Sequence, residues 1–176
     1  TKALRRHGHL GFDEPFQKLR HQGMILAPDG NKMSKSKGNV INPDQFVKDY
    51  GADTVKMYLA FIGPYAEPGQ YPWNMHSITG IRRYLDRVFA LHERLLGGEA
   101  EPETKKILAE TIEKVTRDIP LFKFHTALAA LMTLLNHLEK LAGVPREVYE
   151  TYLSLLAPFA PHTTEELWHL LGKDTL

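Results

Sequence analysis

The sequence predicts a mainly α-helical protein: a small mixed α/β unit over residues 1–72, then an α-helical bundle over residues 73–176. Apolar residues recur at helical spacing through most of the second part, as in helices that bury one face. The first part is irregular, and it contains a lysine-rich loop with no apolar face. The stretch Gly63–Trp73, with three prolines and two glycines, predicts the boundary between the two parts.

Composition limits the kinds of site that the chain can contain. Its 176 residues, 43% of them apolar, suffice for one domain or two small ones. The net charge of +1 means that any site for a polyanion is local. There is no cysteine, and the histidines lack ligand spacing, so we expect no metal site. No apolar run approaches the roughly 18 residues that span a bilayer, and no signal peptide is evident, so we expect a cytoplasmic protein without membrane contact.

Turn and capping residues define the elements of the first part. Pro28-Asp29-Gly30 predicts a turn between two short extended segments. Asn42 is a favoured N-cap, Pro43 suits the first helical position, and Gly51 suits the position after the last turn. A second helix is predicted from the residues that follow, with Asp53 in its first turn.

Helical stripes define four or five helices in the second part. Pro120 removes a backbone donor and is expected to break the helix between the second and third stripes. A fourth helix is predicted from Arg146 to about Ala157, and Thr163 with Glu166 has the spacing of a capping box that begins a fifth. The three stripes are Ile78, Ile81, Leu85, Val88, His92 and Leu95; Leu108, Ile112, Val115, Ile119 and Phe122; and Leu128, Leu131, Leu135, Leu138 and Ala142.

The loop Gly30–Asn39, with the sequence GNKMSKSKGN, has the chemistry of a phosphate site. Its lysines can act as point charges on a polyphosphate, and its serine hydroxyls can donate to phosphate oxygens. Gly30 and Gly38 allow the backbone to bend sharply and to approach a ligand. Charge alone nevertheless favours a solvated surface loop, because lysine-rich loops are common on protein surfaces.

The letters KMSKS, Lys32–Ser36, are identical to the signature loop of class I aminoacyl-tRNA synthetases. The surrounding text, KMSKSKGNVINP followed by YGADTVKMYLAF, resembles the members that activate leucine, isoleucine and valine. FDEPFQKLRHQGMIL, Phe12–Leu26, is similar to the leucyl-tRNA synthetase family. FKFHTALAALMTLLN, Phe122–Asn136, and LAPFAPHTTEELW, Leu156–Trp168, resemble the helical domain of that family.

The resemblance implies an activity and a role for each loop residue. Family members condense leucine with ATP, which carries Mg²⁺, to give leucyl-adenylate and pyrophosphate, and then transfer leucine to the terminal adenosine of tRNA(Leu). Lys35 is then expected to contact the pyrophosphate leaving group, with Lys32 assisting. Met33 is expected beside the adenine of ATP, and Ser34 and Ser36 are expected to shape the loop.

The resemblance also implies a tRNA-binding role for the bundle. In this family the bundle is expected to contact the shape of the tRNA more than the anticodon letters. Arg82, Arg83 and Arg87 could meet phosphates, but Asp86 lies among them, so a solvated charged face is an equal alternative. Gly38 and Asn39 are expected to end the KMSKS loop.

Other parts of such a ligase do not occur in the sequence. The HIGH motif, the leucine pocket and the editing domain are missing, and HGHL at 7–10 is not a substitute for HIGH. Both ends of the chain look like cuts through a longer protein. We therefore expect a part of a leucine–tRNA ligase that is inactive alone. The alternatives are part of an isoleucyl- or valyl-tRNA synthetase, and a non-catalytic helical RNA-binding module.

Overall fold

A computed structural model describes residues 1–20, 23–65 and 69–176. These residues form eight α-helices, four short strands and one 3₁₀ helix, which confirms the predicted mainly α class. Among them, no helix combines the length and the apolar character needed to cross a membrane. The helices are α1 Lys2–Arg6, α2 Pro43–Tyr50, α3 Ala52–Phe61, α4 Met75–His92, α5 Pro102–Asp118, α6 Phe124–Leu138, α7 Arg146–Leu156 and α8 Pro161–Leu170. The strands are β1 Met24–Leu26, β2 Gln70–Pro72, β3 Leu95–Leu96 and β4 Val144–Pro145.

The predicted turn at Pro28–Gly30 is confirmed. Gly30 has a φ of +79°, and its amide donates to the carbonyl of Ala27 at 2.9 Å. After the turn, Lys32 forms an isolated antiparallel bridge with Leu26, so the two short extended segments lie side by side. The sequence did not predict that β1 also pairs in parallel with β2. Part of the predicted boundary segment, residues 66–68, lies outside the described residues.

Three glycines surround the ring of Tyr71 in β2. A Cβ added at Gly23, Gly63 or Gly69 would lie 2.2–2.4 Å from an atom of that side chain. Real Cβ contacts are not this short, so a larger residue at any of the three positions would force the ring to move. The close approach fixes β1, β2 and the end of α3 against one another.

The helices α2 and α3 connect the first part to the bundle. The Asn42 side chain accepts from the Asp44 amide at 3.0 Å, and Gly51 has a φ of +89°, so both predicted ends of α2 are confirmed. Tyr58 of α3 is 1% exposed and belongs to the same hydrophobic core as the bundle. The ring of Trp73, which follows β2, lies 4.9 Å from that of Tyr58. A continuous apolar core therefore joins the loop-bearing part to the bundle.

Five helices, α4–α8, form the bundle over residues 75–170, within the predicted four or five. The first stripe is confirmed for Ile78, Ile81, Leu85 and Val88, which α4 buries together with Tyr84 and Leu91. The third stripe is confirmed for α6, whose leucines at 128, 131, 135 and 138 are fully buried. Ala142 was assigned to it wrongly, because α6 ends at Leu138.

The second stripe is wrong in part. Ile112 is 37% exposed, whereas Thr104, Thr111 and Asp118 of the same helix are buried. Each of these polar side chains has a hydrogen-bond partner. Thr104 bonds His137 Nε2 of α6 at 2.9 Å, Asp118 accepts from the Thr126 hydroxyl of α6, and Thr111 donates to the Ile107 carbonyl of its own helix. Apolar periodicity cannot detect a buried face that is partly polar.

The predicted break at Pro120 is confirmed. Helix α5 ends at Asp118, and α6 begins at Phe124. Phe122 between them has a φ of +59°, an unusual value for a residue with a side chain. Its ring contacts Phe124 and Tyr65, with centroids 5.4 and 6.1 Å apart, so aromatic packing holds the strained turn in place.

The predicted capping box at the start of α8 is wrong. The helix begins at Pro161, two residues earlier, so Thr163 lies inside the first turn and cannot act as its N-cap. Proline at the first helical position has no amide to satisfy. The next two amides, those of His162 and Thr163, donate to the carboxylate of Asp53 in α3.

Exposure of Ile112 distinguishes it from the core leucines in a measurable way. We expect Leu131→Ala to lower the free energy of unfolding by about 2–5 kcal/mol, because it opens a cavity in a fully buried site. Ile112→Ala is expected to change it by about 0.5 kcal/mol, as at other surface positions. Urea unfolding of the two variants followed by circular dichroism compares them, and equal losses would place Ile112 in the core.

Candidate functional site

The KMSKS loop, Lys32–Ser36, begins at the bridge residue Lys32 and precedes α2. A 3₁₀ turn, Lys35–Lys37, closes with a bond from the Gly38 amide to the Lys35 carbonyl at 3.2 Å. Gly38 has a φ of +66°, the left-handed conformation that favours glycine. The backbone can thus reverse direction within a few residues, immediately after the signature letters.

Asn39, three residues after the KMSKS loop, bonds back to the first half of that loop. Its Oδ1 accepts from the Ser34 amide at 2.8 Å, and its Nδ2 donates to the Lys32 carbonyl at 3.2 Å. The hydroxyls of Ser34 and Ser36 form a further hydrogen bond at 2.8 Å. The sequence predicted only that Asn39 ends the loop. No pattern in the letters indicates that a side chain five positions later bonds back to Ser34.

The lysines of the loop remain available for a ligand. Lys32, Lys35 and Lys37 are exposed, and none forms an ion pair with any of the described residues. The carboxylate of nearby Asp29 accepts two hydrogen bonds from Asn31. These bonds hold the pKa of the Asp29 carboxyl below its usual value. The arrangement thus presents cations on a backbone that is fixed by polar side chains, which suits a polyphosphate.

Met33 differs from the neighbouring lysines in its burial. It is half-buried and packs against the hydrophobic core that the bundle shares with α3. It therefore fixes the loop to the rest of the chain between two exposed lysines. Its expected place beside an adenine stays a prediction.

The three arginines of α4 differ in availability. Arg87 contacts the carboxylate of Glu139 with two nitrogens, through Nε at 2.7 Å and through Nη2, and it also bonds Asn136. The hydrogen bonds from Arg87 lower the pKa of Glu139, so this pair stays charged. Arg82 pairs with Asp86 at 2.8 Å. Arg83 is exposed and has no ion pair with the described residues, so it alone of the three is free for a phosphate.

Two protein-family models match the chain. Residues 6–68 match the tRNA synthetases class I (I, L, M and V). Residues 105–176 match the anticodon-binding domain of tRNA ligase. The first match contains the KMSKS loop and α3, and the second contains α6–α8 and most of α5.

Relatives with assigned functions match the chain over nearly all its length. A leucine–tRNA ligase from Sorangium cellulosum is 47% identical over 98% of this chain. Leucine–tRNA ligases from Clostridium perfringens and Bdellovibrio bacteriovorus are 44% and 42% identical over 99% and 100% of it. The chain spans about a fifth of the length of these relatives, 20% to 23%.

Solved structures agree with this similarity. The chain matches a structure described as the ternary complex of Agrobacterium radiobacter K84 LeuRS with tRNA and LeuAMS, with a TM-score of 0.82 and 37% identity. The match covers 100% of this chain and 25% of that one. Methionyl-tRNA synthetase from Mycobacterium tuberculosis shares the fold over 85% of this chain, with a TM-score of 0.65 at 20% identity.

The hydrogen bonds of Asn39 lead to a prediction about the loop. Asn39→Ala removes the acceptor of the Ser34 amide, which we expect to cost about 1 kcal/mol and so raise the hydrogen-exchange rate of that amide roughly fivefold. Asn31→Ala is the matched control, because Asn31 bonds Asp29 and not Ser34. NMR exchange measurements on both variants provide the comparison. An unchanged rate in Asn39→Ala would mean that the side chain does not stabilise the loop.

Proposed function

Because the chain belongs to the leucine–tRNA ligase family of class I tRNA synthetases, we propose that it is the part of such a ligase that follows the leucine-binding core. Residues 1–72 are then the C-terminal end of the catalytic domain, and residues 73–176 are the anticodon-binding bundle. The observation that supports this most directly is the KMSKS loop itself, in which Asn39 orders the backbone while the lysines stay free.

In the first step a carboxylate oxygen of leucine attacks the α-phosphorus of ATP. The bond from that phosphorus to the bridging oxygen breaks, and pyrophosphate leaves with the electron pair. We assign Lys35 to the pyrophosphate, where its charge stabilises the transition state more than the ground state. Lys32 assists, Ser34 and Ser36 shape the loop, and Met33 contributes to the adenine site.

In the second step a hydroxyl of the terminal adenosine of tRNA(Leu) attacks the carbonyl carbon of leucyl-adenylate, and AMP leaves. We assign the bundle to tRNA binding, in keeping with its match to the anticodon-binding domain. Arg83 is the arginine of α4 that we assign to a tRNA phosphate. We propose the cytoplasm as the compartment of the ligase, because leucine, ATP and tRNA(Leu) all occur there.

The donor groups of the loop suit phosphate and not a metal. Ammonium groups have no lone pair for a metal, the hydroxyls of Ser34 and Ser36 are bonded to each other, and the carboxylate of Asp29 is bonded to Asn31. We therefore expect Mg²⁺ to be bound by the phosphates of ATP and by residues outside this chain. The HIGH motif, the leucine pocket and the editing domain likewise belong to the remainder of the ligase.

Lys35 gives the principal test, in the full-length ligase. Lys35→Ala is expected to raise the barrier to adenylate formation by about 3–4 kcal/mol, roughly a hundredfold to a thousandfold in rate. Leucine affinity is expected to change little, since the contact strengthens only as charge develops on the leaving group. Single-turnover adenylate formation measures both quantities.

Lys37→Ala is the matched control, because Lys37 is also exposed and without an ion pair among the described residues but lies outside KMSKS. We expect it to slow adenylate formation much less. A larger loss in Lys37→Ala, or a Lys35→Ala variant altered only in leucine affinity, would overturn the assignment of Lys35.

The 176-residue chain alone gives a second test. We expect it to show no leucine-dependent exchange of pyrophosphate into ATP, because the loop stabilises a leaving group that other parts of the ligase must first bring into place. The full-length ligase is the positive control under the same conditions. Exchange by the isolated chain would mean that it contains a complete adenylation site.

A further inference from the structure

The N-terminus of α8 is capped by a residue from a distant part of the chain. Asp53 lies in the first turn of α3 and is 5% exposed. Its Oδ2 accepts from the Thr163 amide at 2.6 Å, and its Oδ1 accepts from the His162 amide at 3.4 Å. Helix α8 has Ala160 at its N-cap position and no side-chain cap of its own. One carboxylate therefore serves both amides of the first turn that follow Pro161.

The same carboxylate is close to the KMSKS loop along the chain. Only the segment 37–41 separates the loop from the Asn42 cap of α2, and Gly51 alone separates α2 from α3. The hydroxyl of Thr54 donates to the Tyr50 carbonyl at 2.8 Å, which ties the start of α3 to the end of α2. A displacement of α3 would thus be transmitted to α2 and to the loop.

We propose that Asp53 is a positioning residue of the ligase, one that sets the orientation of the KMSKS loop relative to the tRNA-binding bundle through the N-terminus of α8. The proposal rests on the proposed function. The carboxylate interacts with the helix dipole as well as with the two amides, so its contact is both directional and buried. An apolar contact in the same place would permit sliding, whereas two hydrogen bonds to one helix end define an angle.

The proposal predicts unequal effects on the two reaction steps. Adenylate formation without tRNA needs the lysines of the loop, and these remain in an Asp53 variant. Transfer to tRNA needs the bundle and the active site in one fixed relation, because the tRNA must contact both. A cap that only stabilises the fold would instead lower both rates by the same factor, through the fraction of folded enzyme.

The experiment compares Asp53→Ala with wild type in the full-length ligase. We expect kcat/KM for tRNA(Leu) in aminoacylation to fall about tenfold, the loss typical of hydrogen bonds to a charged group. Leucine-dependent pyrophosphate exchange without tRNA is expected to stay within about twofold. Asp53→Asn keeps one acceptor oxygen, so we expect a smaller but similarly unequal loss, and this variant decides the question if Asp53→Ala does not fold.

The matched control is Asp49→Ala, since Asp49 is exposed on α2 and hydrogen-bonds only Gln45 among the described residues. We expect it to leave both reactions unchanged. Equal losses in exchange and aminoacylation for the Asp53 variants, or no loss in either, would overturn the positioning role. A wild-type ligase without leucine-dependent exchange would instead overturn the proposed function.

Discussion

The burial of α3 in the bundle core is the contact on which the rest of the structure depends. Met57 and Tyr58 are almost fully buried there, together with residues of the bundle helices. The Tyr58 hydroxyl also accepts from the Asn74 amide at 2.8 Å, just before α4 begins. Because α3 follows the KMSKS loop so closely in the chain, this packing gives a short polar loop a rigid base.

In the KMSKS loop, one set of groups orders the backbone and another set carries the positive charge. Its backbone is fixed by uncharged groups, the amide of Asn39 and the hydroxyls of Ser34 and Ser36. Its ammonium groups take no part in these bonds. A lysine that is paired with a neighbouring carboxylate must break that ion pair before it can bind a phosphate. The lysines of this loop do not have to do so. Arg87 of α4 shows the opposite case, since it is bound to Glu139.

The sequence predicts most of the helices because their ends are marked by local chemistry. Asn42, Gly51 and Pro120 act within one turn of their own position, so their effects can be deduced without the fold. Two of the corrections concern interactions that depend on the fold. The cap of α8 comes from Asp53, about 110 positions earlier, and two of the buried polar residues of α5, Thr104 and Asp118, have hydrogen-bond partners on α6. For the same reason the bonds of Asn39 required the structure.

The packing of Tyr71 against three glycines has a consequence for how this region can vary. A methyl group at Gly63 collides with the ring while Tyr71 is present. A small residue at 71 would remove the collision, and the same methyl group would then fill space that the ring had vacated. The cost of alanine at Gly63 therefore depends on the identity of residue 71. We expect homologues to replace Gly63 and Tyr71 together. A replacement of Gly63 alone would leave the methyl group in collision with the ring.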